Sequence, residues 1–181
     1  MRGFLFSNTE VPVLTPFEPA VLSARYRVRR LTADDVDMVC RFCQADTQYA
    51  ALCGQEITTD VIRHDMAALP PGIPPEQKYY VGFFDQGTLI ALMDLIAGHP
   101  MAADAFIGFF MMDSTQQGRG LGSRIVSETL DVLRRCGYSR CMLAMDSGNP
   151  QARHFWQKNG FAVTREVPVE GGALLVAERP L

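Results

Sequence analysis

Three glycines alternate with other residues in the segment Gln116–Ser123, which lies between an apolar run and an amphipathic stretch. Glycine permits backbone conformations and close approaches that side chains forbid, and the first N–H groups of a helix have no partner within that helix. Those N–H groups and the helix dipole favour a bound anion. The segment therefore predicts a phosphate or pyrophosphate site at a helix start, with a tight packing turn as the alternative interpretation.

Two familiar phosphate-binding motifs fit this segment poorly. A Walker-type loop needs a Gly-Lys-Ser or Gly-Lys-Thr sequence, and the segment contains no lysine. A dinucleotide-binding fingerprint needs a third glycine at the position that Ser123 occupies. A nucleotide-binding Rossmann domain is therefore kept only as a secondary alternative.

A second segment, Asn149–Phe161, combines the signals of a short helix with adjacent aromatic residues. Asn149 is a favourable N-cap, Pro150 suits the first helical position and Gly160 marks the end of the helix. The aromatic residues either belong to an ordinary core or line a ligand site. The segment predicts a helix that follows a buried strand.

The two segments together resemble the GNAT superfamily of N-acetyltransferases. The first matches its Gln-x-x-Gly-x-Gly signature from Gln117 to Gly122, and the second is similar to a downstream segment of the same family. The strong matches fall within residues 106–161, and the resemblance covers about residues 25–181. It implies the acyl-CoA N-acyltransferase fold of α/β class: a twisted, mixed, mostly antiparallel sheet with helices on both faces, split by one parallel pair.

The resemblance also implies a reaction and a cofactor site. In the family the glycine-rich turn cradles the pyrophosphate of acetyl-CoA, and the end of the preceding strand holds pantetheine and polarises the thioester carbonyl. The implied activity is acetyl transfer from acetyl-CoA to a primary amine of a small molecule or peptide, by direct attack in a ternary complex and without a metal. The cofactor positions that it implies are Phe110, Met111, Met112, Gln117, Gly118, Arg119, Gly120, Leu121, Gly122, Ser123, Asn149, Phe155, Trp156 and Lys158.

One position departs from the family pattern. Many members have a tyrosine after the residue that corresponds to Phe155, and its hydroxyl donates a proton to the departing thiolate. This chain has Trp156 there, and an indole N–H is a very poor acid. The usual general acid is missing, which motivates the alternative of a catalytically silent acyl-CoA-binding or regulatory module.

The resemblance does not fix the position of a catalytic base, so the sequence pattern must supply a candidate. Asp94 interrupts an apolar strand whose residues on the same face are Ile90, Leu92 and Ile96. A carboxylate among apolar side chains is costly unless it lines a cleft or has a partner. Asp94 is therefore the first candidate base, with a charge at the end of the sheet, paired with an arginine or solvated, as the alternative interpretation. Asp104 is the second candidate.

The hydrophobic pattern predicts the elements that must position these residues. The strand before the glycine-rich turn, the helix after it and the next strand form a crossover unit, which implies a parallel strand pair. Gly108 is expected to mark a bulge in the first of these strands. The predicted elements are a strand (26–31), a helix that Thr32 caps, a helix (59–69), a hairpin (78–84 and 88–97), a strand (105–112), a helix (121–136) and a strand (141–145).

Length and composition predict one globular domain. The 181 residues are 48% hydrophobic and 20% charged, and a proline-containing arm (1–24) precedes the domain (25–181). No apolar run is long enough to cross a bilayer, and no secretory signal opens the sequence, so we expect a cytoplasmic protein that contacts no membrane.

The five cysteines are expected to be reduced. Cys40 and Cys43 are expected to pack in a helix rather than bind a metal.

The charge distribution is more informative than its total. A net charge of −3 gives no large basic face, so a nucleic acid is not an expected partner. Residues 116–160 carry seven basic and three acidic residues, a net +4, which leaves −7 for the remainder. A polyphosphate donor and a cationic amine acceptor would prefer this division.

The resemblance also bears on oligomeric state. Dimers are common among members of the resembled family, so a homodimer is an open expectation.

Overall fold

The computed structural model describes residues 16–52, 54 and 56–181. Its helices and strands are β1 (Arg27–Arg30), α1 (Val36–Gln44), α2 (Thr47–Leu52), α3 (Thr59–Ala67), β2 (Lys78–Asp85), β3 (Thr88–Ala97), β4 (Asp104–Met112), α4 (Leu121–Arg135), β5 (Arg140–Asp146), α5 (Pro150–Lys158), β6 (Ala162–Val169) and β7 (Gly172–Pro180).

The strands form one seven-stranded sheet in the described part of the chain, in the order β1-β2-β3-β4-β5-β7-β6. Neighbouring strands are antiparallel except β4 and β5, which run parallel with α4 as the crossover helix. The mixed, mostly antiparallel sheet with one parallel pair is therefore confirmed. The sequence pattern predicted neither the β6–β7 hairpin nor the short helix α2.

Helices cover both faces of the sheet, and a hydrophobic cluster lies under each set. The larger cluster joins the sheet to α4 and α5 through residues such as Ile125, Leu133 and Trp156. The smaller cluster joins the other face to α1 and α3 through residues such as Val39 and Ile62. Burial of these apolar side chains is the main favourable contribution to the free energy of folding.

Local sequence signals explain where the first helices begin. Thr32 and Asp35 form a capping box ahead of α1, and the Arg29 guanidinium donates to both carboxylate oxygens of Asp35 at 2.7 and 2.8 Å. That hydrogen-bonded pair lowers the pKa of Asp35 to about 2. The hydroxyl of Thr58 accepts a hydrogen bond from the N–H of Val61 and so caps α3.

The parallel pairing of β4 with β5 is short. It runs from Asp104 opposite Arg140 to Ile107 opposite Leu143, although β4 continues to Met112. On the other side of β4 the register against β3 shifts at Gly108, which confirms the predicted bulge. Beyond the bulge, the edge of β4 that faces β5 is unpaired in the described sheet, so the sheet is open there.

Three charged side chains hold the opposite end of this parallel pair together. The Arg140 guanidinium donates to both oxygens of Asp104, at 2.6 and 3.1 Å, and to Glu178 at 2.9 Å. Asp104 is buried at the start of β4, whereas the open edge begins at the bulge farther along the same strand. The carboxylate pairs raise the pKa of Arg140, which remains charged.

The described part of the N-terminal arm, residues 16–24, packs against the domain. Phe17 stacks on Tyr79 with ring centroids 4.3 Å apart, and Leu22 is buried in a short 3-10 helix. The hydroxyl of Ser23 donates to Glu128 of α4 at 2.6 Å. The rest of the predicted arm, residues 1–15, lies outside the described residues.

No helix within the described residues has the length and apolar character needed to span a membrane. Cys40, Cys43, Cys136 and Cys141 are present as thiols, and all of them except Cys136 are buried. Cys53 lies outside the described residues.

Asp104→Asn is expected to lower the free energy of unfolding by about 2 kcal/mol, because the buried end of the parallel pair loses its charge-assisted hydrogen bonds to Arg140. Glu178→Gln, which changes the more exposed partner of the same arginine, is expected to cost about 0.5 kcal/mol. Chemical denaturation of both variants measures the difference. An Asp104→Asn variant no less stable than Glu178→Gln would contradict this assignment.

Candidate functional site

A cavity of about 350 Å³ lies at the open edge of β4; we call it the first cavity. The end of β4, the glycine-rich turn and α5 form its walls. Thirteen of the fourteen residues predicted to bind the cofactor line it: Phe110, Met111, Met112, Gln117, Gly118, Gly120, Leu121, Gly122, Ser123, Asn149, Phe155, Trp156 and Lys158.

The fourteenth residue, Arg119, is exposed on the turn, and its guanidinium lies 3.4 Å from the side-chain oxygen of Gln116. The structure therefore places the predicted cofactor residues around one cavity. Their role as ligands of a cofactor stays a prediction.

The glycine-rich turn has the geometry that anion binding needs. Gly118 and Gly120 have φ of +74° and +76°, which favour glycine, and Gly120 immediately precedes α4. No acidic residue lies in the first turn of α4, so its unsatisfied N–H groups are not neutralised by a carboxylate there. A Cβ atom at Gly122 would approach Met112 and Phe155 to 3.2 and 3.3 Å, so a side chain there would crowd the contact between helix and sheet.

Gln117 connects this turn to two other elements. Its Nε2 donates to the Asp46 carboxylate at 3.1 Å and to the carbonyl of Met112 at 3.2 Å. The other oxygen of Asp46 accepts the N–H of Tyr49 at 3.0 Å in the first turn of α2. Sequence reasoning missed Asp46 and Tyr49, although an Asp directly before Thr47 is a helix N-cap signal.

Trp156 lies in an aromatic cluster at the wall of the first cavity. Its ring centroid is 5.0 Å from that of Phe155, 5.1 Å from that of Phe161 and 6.0 Å from that of Phe110. The residue is only 7% exposed. Its position beside the cavity matches the segment prediction, and its indole supplies apolar surface rather than an acidic proton.

A second cavity, of about 290 Å³, lies on the neighbouring part of the sheet. Tyr49 and Phe109 line both cavities, and their ring centroids are 5.4 Å apart. The two cavities are therefore adjacent, and the bulge in β4 lies at their junction. The second cavity is lined by Cys43, Tyr49, Ile62, Asp65, Ala68, Tyr80, Asp94, Gly108 and Phe109.

Asp94, the first candidate base, lines the second cavity and contacts the bulge. Its Oδ2 atom lies 2.8 Å from the Nζ atom of Lys78 and would be 3.1 Å from a Cβ atom at Gly108. The partner is thus a buried lysine at the start of β2, rather than an arginine. Asp94 is 9% exposed, and its buried Oδ1 has no hydrogen-bond partner among the described residues.

The electrostatic surroundings of Asp94 suit a proton acceptor. Burial raises the pKa of its carboxyl group, the hydrogen bond and charge of Lys78 oppose that rise, and the nearby Asp65 carboxylate adds to it. Lys78 also donates to the carbonyl of Ala68 at 2.8 Å, so its ammonium group is held in place. Burial likewise raises the pKa of Tyr80, which stays neutral.

Asp104, the second candidate base, lines neither cavity. It lies at the other end of β4 in the bidentate pair with Arg140. Among the described residues, no group of three or more His, Cys, Asp or Glu side chains is placed to hold a metal ion. Of the two candidate bases, only Asp94 lines one of the two cavities.

Two characterised proteins share short stretches with this chain. A mycothiol acetyltransferase of Beutenbergia cavernae is 39% identical over 75 residues, which cover 41% of this chain and 25% of that protein. The L-amino acid N-acyltransferase MnaT of Escherichia coli K12 is 36% identical over 55 residues, covering 30% of this chain and 32% of that protein. The matches thus span about a quarter to a third of the length of these relatives.

Solved structures agree with the fold over most of the chain. An acetyltransferase from Thermus thermophilus superposes with a TM-score of 0.72 and 26% identity, covering 86% of this chain and 97% of that one. The PaiA N-acetyltransferase from Thermoplasma acidophilum, solved in complex with coenzyme A, superposes with a TM-score of 0.64 and 18% identity, covering 86% and 99%. At 18% identity, the comparison with PaiA shows similarity of fold only.

A family model provides the broadest match in sequence. The model of the acetyltransferase (GNAT) family matches residues 47–161, which include β4, the glycine-rich turn and α5. This range covers more than half of the chain. It includes Tyr49 and Phe109, the two residues that line both cavities. The chain belongs to the GNAT family of acetyltransferases.

Proposed function

We propose that the protein is an N-acetyltransferase that moves the acetyl group of acetyl-CoA to a primary amine by direct attack in a ternary complex. One observation carries the proposal: a glycine-rich turn at a helix start and a buried carboxylate line two adjacent cavities that share Tyr49 and Phe109. A donor in one cavity and an acceptor in the other would meet at the bulge of β4. Holding two reactants in this way accounts for much of the catalysis available to such a reaction.

The first cavity fits acetyl-CoA. The N–H groups at the start of α4 would hold the pyrophosphate, and the unpaired edge of β4 from Phe110 to Met112 would hydrogen-bond pantetheine. Asn149 caps α5 with its side chain, which accepts the N–H of Ala152 at 2.9 Å and fixes the far wall. These contacts bind and orient the donor without a metal.

The second cavity supplies the proton acceptor for the attacking amine. The amine nitrogen forms a bond to the thioester carbonyl carbon, the C–S bond breaks and CoA leaves as a thiolate. The Asp94 carboxylate accepts the proton that the amine loses. Because Trp156 replaces the tyrosine of many relatives, the thiolate takes its proton from solvent rather than from this position.

The names of the two relatives do not identify the acceptor substrate of this chain. MnaT is named for L-amino acids and the other relative for mycothiol, and each match covers less than half of this chain. The acceptor must therefore be inferred from the second cavity of this chain.

Gly120→Glu is expected to abolish CoA binding, because it places bulk and negative charge at the start of α4. Trp156 is the single tryptophan of the chain and lines the first cavity, so its fluorescence reports CoA binding in titrations. Gly87→Glu is the matched control, since Gly87 also has positive φ and open space around a Cβ atom but lies in the β2–β3 turn. Equal CoA affinity of the two variants would contradict the cofactor site.

Asp94→Asn is expected to lower kcat/KM for amine acetylation about 100-fold while CoA affinity is unchanged, because it removes the proton acceptor but not the donor site. The assay mixes acetyl-CoA with a panel of primary amines and detects acetylated product by mass spectrometry. If CoA binds but no amine is acetylated by the unmodified protein, the silent binding module replaces the enzyme. An Asp94→Asn variant with undiminished kcat/KM would remove Asp94 from the mechanism.

Lys78→Met is expected to move the acidic limb of the kcat/KM profile to higher pH. The base works only when deprotonated, Lys78 lowers the pKa of Asp94, and its loss therefore raises the pH at which activity appears. Lys78→Arg retains the positive charge and should leave the limb closer to its original position. A limb that stays in place, or moves to lower pH, in a folded Lys78→Met variant would exclude Asp94 as the titrating base.

A further inference from the structure

The second cavity has negative charge at its wall and no free positive charge. Asp65 and Asp94 line it, and none of its described lining residues is Lys, Arg or His. Lys78 contacts the lining residue Asp94, but its side chain is 7% exposed and already donates to Asp94 and to the carbonyl of Ala68. Within the part of the chain that the structure describes, the cavity lining therefore offers no unpaired cation to an anionic substrate.

The rest of the lining is aromatic and apolar. Tyr49, Tyr80 and Phe109 contribute rings, and Ile62 and Ala68 contribute aliphatic surface. A volume of about 290 Å³ is at the lower end for small-molecule sites. Such a cavity fits a compact molecule with an aromatic or aliphatic body.

The position of Asp94 restricts what the reacting amine can carry. The amine nitrogen must come within hydrogen-bond distance of this carboxylate to transfer its proton. In an α-amino acid the substrate's own carboxylate is attached to the neighbouring carbon, so it would be placed close to Asp94, whose partner Lys78 is already engaged. Burial of two like charges in one site is strongly unfavourable.

We infer that the acceptor is a compact primary amine with an aromatic or aliphatic body and no carboxylate on the carbon that bears the amine. The inference rests on the proposed function, because it assigns the second cavity to the acceptor. It excludes free α-amino acids as efficient substrates, and it favours small amines over peptides because a cavity of about 290 Å³ is at the lower end for small-molecule sites.

Four test substrates that share a phenyl group distinguish small amines, α-amino acids and peptides as acceptors. They are phenethylamine, phenylalanine, phenylalanine amide and a tetrapeptide amide with N-terminal phenylalanine. We expect kcat/KM for phenethylamine and phenylalanine amide to exceed that for phenylalanine at least about tenfold, because only phenylalanine adds an uncompensated negative charge. The tetrapeptide is expected to be slower than phenylalanine amide, since its chain exceeds the cavity.

Charge reversal at the cavity wall tests the cause of the selectivity. Asp65→Lys is expected to raise kcat/KM for phenylalanine relative to phenethylamine about tenfold, because it supplies the missing cation. Asp60→Lys is the matched control, since Asp60 is on the same helix, is exposed and does not line the cavity. The ratio should not change in that variant.

The outcomes distinguish this inference from the proposed function. Phenylalanine used as well as phenethylamine, a tetrapeptide better than both small amines, or identical ratios in the Asp65→Lys and Asp60→Lys variants would overturn the inference and leave the acetyltransferase intact. Acetylation of none of the four acceptors, nor of any amine in the broader panel, with CoA bound, would overturn both.

Discussion

The early end of the parallel pairing between β4 and β5 is the constraint on which the rest of the site depends. Four residue pairs hold the strands together, and the ion pair between the buried Asp104 and the partly exposed Arg140 fixes the first of them. After Ile107 the bulge at Gly108 turns β4 away from β5 while β3 keeps its hydrogen bonds to β4. Backbone groups along the open edge then lack a neighbouring strand, and polar groups left without one need a side chain, a ligand or water as partner. The same bulge leaves the space that the Asp94 carboxylate fills.

Much of this arrangement could be predicted from the sequence because it is encoded locally. Gly118 and Gly120 reveal a turn with unusual backbone angles, and the change from an apolar run to a helical stripe reveals the crossover unit around it. Caps and proline-rich loops then fix the bounds of the other elements to within a few residues. The physical properties of the turn predict only that it could bind an anion. The family resemblance adds which anion is expected, the pyrophosphate of acetyl-CoA.

The remainder depends on contacts between residues far apart in the chain, which no local pattern encodes. Lys78 reaches Asp94 across two paired strands, and Gln117 reaches Asp46 from a turn that is distant in sequence. The role of Asp104 shows the same limit: its position after a loop suggested chemistry, whereas its pairing with Arg140 is visible only once β5 lies beside β4. The second cavity could not be foreseen for this reason, since its wall combines residues from the first three helices with residues from β2, β3 and β4.

The hydrogen bonds of Gln117 have a thermodynamic consequence. Its amide connects the glycine-rich turn to Asp46, Asp46 caps the helix that carries Tyr49, and Tyr49 is a wall of both cavities. To the extent that a ligand in the first cavity shifts the turn, it changes the free energy of binding in the second, and linkage makes the effect equal in the reverse direction. Whatever factor a ligand in the second cavity applies to binding in the first, a ligand in the first applies the same factor to binding in the second.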